Sequence, residues 1–218
     1  MKIGENVFER TGESTMSQRG FYAALGGIVA FGLWLSSVVA AEFVSWDPSL
    51  WMILLVGLGI PLVGILLASA STNPGISFLG YLMVAIPFGM LLGPVLNSYS
   101  PEIVERAMLY TAAVTLVMGL AGLRYPGFFA KIGGALFVAL IGLVVVRLIS
   151  LFVPALANMT LIDYAAAGIF SLYIGYDMHR ASVMPHTLDN AVDTALSLYL
   201  DIINLFMSLL RILGHSKD

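Results

Sequence analysis

Charge is what this sequence has least of. Only 11% of its 218 residues are Asp, Glu, Lys or Arg, against about 25% in soluble domains. With 59% hydrophobic residues and a mean hydropathy of +0.94, the chain lacks the polar groups to cover a globular surface. A membrane protein is the class that remains. The ten basic residues are scattered and the net charge is −3, which excludes a nucleic-acid partner, since that needs a clustered positive face. Cysteine is absent, so there is no disulfide framework, thiolate nucleophile or Cys-ligated zinc site, although the compartment cannot be read from that. A nucleophile elbow, a phosphate-binding loop and a His-rich cluster are missing as well. No enzyme and no cofactor are expected. The N-terminal segment MKIGENVFERTGESTMSQRG has three Glu, one Lys and two Arg but no apolar h-region with a small-residue cleavage site. It reads as a polar tail over residues 1–19, not a signal peptide.

What the chain does have is seven apolar runs, each close to the roughly 20 residues that cross a bilayer as a helix. They cover Gly20 to Ala41, Leu50 to Ala70, Ile76 to Leu96, Ile103 to Leu123, Ile132 to Val153, Leu161 to His179 and Ala191 to Leu213. Turn signals separate them: SWDPS (45–49), STNPG (71–75), NSYSPE (97–102), RYPG (124–127) and VMPHT (183–187). The expectation is an all-α membrane protein with one seven-helix transmembrane domain over residues 20–214. Pro61 and Pro87 predict kinks, and the glycines inside the runs predict close helix packing. Trp46 and Trp51 suit an interfacial position. Placing the N-terminus in the cytoplasm puts Lys2, Arg10, Arg19, Arg124, Lys131 and Arg180 there, against Arg106, Arg147, Arg211 and Lys217 on the other side. That bias orients the N-terminus inside and the C-terminus on the opposite face.

Few charges interrupt the runs. Glu42 closes the first and reaches interfacial water. Asp163 and Asp193 open the sixth and seventh, where the helix dipole favours carboxylates as caps. His179 and His186 lie in or beside a polar connection and are expected to be exposed. Arg147, in LVVVRLISLF, either snorkels outward or pairs with a carboxylate. Asp177 and Asp201 are different. Asp201 has about ten residues of apolar helix on either side, where a short carboxylate can neither cap nor snorkel; it must be protonated, paired, or in contact with water or an ion. Asp177 lies nearer the connection, three residues before Arg180, and an interfacial position would also suit it. Two carboxyls that met would share a proton and titrate as a unit; once ionised they would repel one another and attract cations, calcium included. Spacing alone leaves the pairing open, because Pro185 turns the chain before the midpoint between the two.

FSLYIGYD (170–177), ALSLYLDIINLFMSLLRILG (195–214) and LGPVLNSY (92–99) resemble the Bax inhibitor family, whose members carry the transmembrane Bax-inhibitor motif. The resemblance covers residues 20 to 214. It implies a bacterial inner-membrane protein with six helices surrounding a central seventh. It also implies a pH-sensitive calcium leak, gated by a hydrogen-bonded aspartate pair at Asp177 and Asp201, so that the lipid bilayer, calcium and protons are its partners. In the best-known bacterial form an arginine at the end of helix two latches onto the helix-six aspartate. Here LLASASTNPG (66–75) has no basic residue, which leaves Arg147 or Arg180 as a possible charge partner. Another branch is implied to bind a membrane AAA protease without conducting ions. The NPG…LGPVLNSY stretch is similar to that branch as well, but its members lack the aspartate pair. A seven-helix retinal protein is excluded, since the seventh run has no lysine for a Schiff base. An intramembrane aspartyl protease with a GxGD motif is not matched by GYD and YLD.

Overall fold

A computed structural model describes residues 15–150, 152–153 and 159–215. Among these residues the chain is helical, with seven long segments: α1 Gln18–Glu42, α2 Leu50–Ala70, α3 Pro74–Asn97, α4 Pro101–Arg124, α5 Pro126–Ser150, α6 Thr160–Val183 and α7 Leu188–His215. The predicted runs are all present, and the helices extend past the apolar stretches at most ends. Local chemistry explains the starts. Ser17 caps α1 by accepting from the Gly20 amide, and Asn73 caps α3 by accepting from Gly75. Pro74, Pro101 and Pro126 stand at the first positions of α3, α4 and α5, where a missing N–H costs nothing. The fifth helix therefore begins six residues before the apolar run does, and RYPG contains a one-residue break at Tyr125. Residues 1–14 of the expected polar tail lie outside the described residues, and Gln18 and Arg19 already belong to α1.

Six of the seven helices are long and apolar enough to span a membrane. The exception is α6, which has the length, 24 residues or about 36 Å at 1.5 Å per residue, but carries Asp163, Asp177 and Arg180. Its two carboxylates face inward, so composition understates it as a span. Pro61 sits inside α2 without ending it: residues Leu55–Gly59 just before it form a π-turn. This widened turn relieves the clash between the proline ring and the carbonyl four residues earlier.

The chain falls into two compact units. The first combines the described residues up to Ser98 with Val183–Tyr199, and the second combines Tyr99–Ser182 with the chain from Leu200 on. In the first unit α3 is enclosed, with Tyr81, Val84 and Ala85 fully buried. Glycine permits the close approach on both sides: a Cβ on Gly64 would meet the Gly80 carbonyl, and one on Gly89 would meet Ser36 and Val39 of α1. In the second unit a Cβ on Gly122 of α4 would strike the Gly175 backbone of α6, so these two helices cross at backbone contact. Helix α7 contributes to both units and is the most enclosed of the spans, with 50% of its apolar window buried against 11% for α5.

Candidate ion-pathway residues

The second unit brings the two aspartates together. On α6 the buried residues Asp163, Ala166, Phe170, Ile174, Asp177 and Ala181 recur every three or four positions, the spacing of one helix face. Asp177 is thus carried inward on the same stripe as its apolar neighbours. It is 4% exposed and Asp201 of α7 is 7% exposed, and their carboxyls lie close enough for one to bond to the other. Such a bond would form only with a proton on one of them, since an ionised carboxylate can only accept. No N–H or hydroxyl donor among the described residues reaches Asp201 Oδ2. The offset that spacing left open is real: six residues of α6 follow Asp177, whereas thirteen of α7 precede Asp201. The connection 184–187 accommodates it.

Of the two candidate charge partners, Arg180 is the one beside the pair. Its Nη1 lies 3.4 Å from Asp177 Oδ1, one turn away on α6, with the side chain 47% exposed. Arg147 is elsewhere. Its Nη2 donates to Asp163 Oδ1 at 2.5 Å, and Arg211 Nε donates to the same oxygen at 2.6 Å. Asp163 stands in the first turn of α6, as expected, but it is also buried and held by two guanidinium groups. Tyr99, in the connection between α3 and α4, lies close enough to feel both Arg211 and Asp163. Burial pushes its phenol above the ordinary tyrosine value, Arg211 opposing and Asp163 adding to the shift.

Other expectations are corrected. Helix α7 starts three residues before its apolar run, because Thr187 caps it, its hydroxyl accepting from the Asn190 amide at 3.1 Å. The first-turn acid is consequently Asp189, not Asp193. His186 is not exposed: its ring stacks on Phe21 with centroids 4.5 Å apart, and its carbonyl accepts from the Met16 amide. His179 is likewise half-buried. Glu42, at the end of α1, is exposed as expected. Among the described residues no group of three or more His, Cys, Asp or Glu is placed to hold a metal. The aspartate pair alone supplies far fewer than the 6–8 oxygens of a calcium cage.

The polar contacts described within the first unit centre on hydroxyl groups. Ser36 Oγ and Tyr199 OH are 2.6 Å apart, and Ser36 Oγ lies 2.9 Å from the carbonyls of both Gly32 and Ala85. Tyr81 donates to the Ile28 carbonyl, and Ser77 donates to Asp189 at 2.5 Å. Sequence reading missed these; it took Asp163 for a cap and gave Arg211 no partner. One signal was available: Asp163 lies fourteen residues before Asp177, four turns at about 3.6 residues each, and so shares its face.

Residues 19–218 match the family described as "Inhibitor of apoptosis-promoting Bax1". The chain belongs to the Bax inhibitor family. It is 38% identical over 128 residues to a Helicobacter pylori protein, a match covering 59% of this chain and 55% of that protein. A membrane protein of Streptococcus pyogenes is 35% identical over 142 residues, with 62% of each chain covered. The Escherichia coli inner membrane protein YbhL is 27% identical over 154 residues, 66% of each. The matches thus span less than two thirds of the Helicobacter and Streptococcus relatives. Family and helices together make this chain a membrane protein.

Proposed function

We propose that this chain is a pH-sensitive cation leak of the inner membrane, with calcium as its principal ion and Asp177 and Asp201 as the gate. The observation that carries the reading is the contact between the two carboxyls, buried and drawn from neighbouring helices. With one proton shared, the pair carries a single negative charge, which Arg180 faces, and the hydrogen bond between the carboxyls is the lock. When that proton leaves, two like charges at contact distance repel, and the separated carboxylates present oxygen ligands to a hard cation. Arg180 stands where it can neutralise Asp177, which leaves Asp201 to draw the ion in. Two carboxylates without a fuller cage hold calcium weakly, and weak holding suits a conduit, where an ion must leave as readily as it enters. The lysine and arginine distribution supports an N-terminus in the cytoplasm and a C-terminus on the opposite face.

The test is calcium flux into liposomes containing the purified chain, measured across pH. Flux should rise with pH as the pair loses its proton, and Asp177→Asn or Asp201→Asn should remove the pH dependence. Flux indifferent to both pH and these substitutions would refute the gate. If no flux occurred and a membrane protease co-purified from native membranes, the chain would be a regulatory binding partner instead.

A further inference from the structure

The buried charges of the second unit lie at two levels on the same two helices. Asp163 and Asp177 are fourteen residues apart on α6, about 21 Å at 1.5 Å per residue. Asp201 and Arg211 are ten residues apart on α7, about 15 Å by the same rise. Helices α6 and α7 therefore meet twice, through Asp177–Asp201 and through Asp163–Arg211. The shortfall of about 6 Å on α7 is taken up by the long arginine side chain. Arg147 brings the last turns of α5 to the same Asp163 oxygen.

The two contacts differ in kind. The carboxyl pair depends on a proton that can leave. Arginine keeps its charge in proteins, and hydrogen bonds between charged partners are the strong ones. The Arg147 and Arg211 side chains are 28% and 27% exposed while the Asp163 side chain is 2% exposed, so the contact is closed on the carboxylate side.

We propose that Arg147, Asp163 and Arg211 are positioning residues: an ionic staple that fixes the ends of α5, α6 and α7 within the second unit and sets the register in which Asp201 meets Asp177. With α6 and α7 tied at that level, parting of the carboxyls is a local bowing of the helix pair, not a sliding of one helix along the other. The consequence for ion flux rests on the reading of the aspartate pair as gate; the staple itself does not.

Because the chain has no cysteine, a Leu161→Cys/His215→Cys pair can be spin-labelled without further change, and both sites are exposed. The distance distribution between the labels should be single and narrow in mildly acidic and mildly alkaline buffer alike. Arg211→Gln should broaden it, and Arg211→Lys, which keeps a charged donor, should restore it. In the flux assay Arg211→Gln should raise leak in acid severalfold and flatten the pH profile, with the lysine variant returning both towards wild type. If Arg211→Gln fails to fold, Asp163→Asn, which removes the negative charge that both guanidiniums pair with, takes its place with the same expected broadening. A distance that shifts with pH in the unsubstituted background, or one that stays narrow in the glutamine or asparagine variant, would overturn the staple. Absence of flux in every variant would defeat the gate reading alone, and the distances would still decide the staple.

Discussion

The two units solve the problem of polar groups in an apolar setting differently. In the first, the hydroxyls of Ser36 and Tyr199 bond to each other, Ser36 and Tyr81 bond to backbone carbonyls, and the buried Asp189 carboxylate accepts from Ser77. In the second, two guanidiniums hold one carboxylate, and two further carboxyls face each other. Neutral hydroxyl networks are insensitive to pH over the ordinary range; carboxyl pairs are not. If the aspartate pair is the gate, response belongs to the second unit, while α7 supplies residues to both units: Tyr199 to the hydroxyl network, Asp201 to the pair.

The most damaging way to break this contrast is to remove the shared acceptor of the second unit. Asp163→Ala leaves two arginines without their partner, and loss of one member of a buried ion pair typically costs about 3–5 kcal/mol. Thermal unfolding in detergent should show that loss, and Asp163→Asn should show less of it. A smaller effect is expected at the helix crossing. Gly122→Val places a side chain against the Gly175 backbone, where overpacking costs about 1–3 kcal/mol. Gly64→Val should behave alike in the first unit, where a Cβ would meet the Gly80 carbonyl. Equal responses would show that backbone packing is common to the units and that only their polar chemistry differs. Smallest of all, Tyr199→Phe removes one hydroxyl from a network, worth about 0.5–1.5 kcal/mol. It should lower stability without moving the pH profile of flux. A shifted profile would mean that the network takes part in the response.

The helices were legible because apolar runs of bilayer length and proline or serine at their starts are local signals. Asp201 could be singled out for the same reason: its depth follows from the residues on either side. Its contact with Asp177 could not be read from spacing, since it depends on how far α7 is offset along α6, and a four-residue connection permits several offsets. The roles of Asp163 and Arg147 were misjudged or left open for a related reason. A carboxylate in a first helical turn is usually a cap, and nothing local announces that two arginines, sixteen residues before it and forty-eight after it, converge on it. His186 looked solvated beside a proline, but the partner that covers its ring is Phe21, at the other end of the chain.

The central claim, a proton held between Asp177 and Asp201, is tested most directly by pH-difference infrared spectroscopy of the purified protein in lipid. A protonated-carboxyl band should be present in acid, should disappear over the same pH interval in which calcium flux rises, and should be changed by either aspartate-to-asparagine substitution. A band absent at every pH, or one unaffected by both substitutions, would contradict the shared proton and the gate built on it.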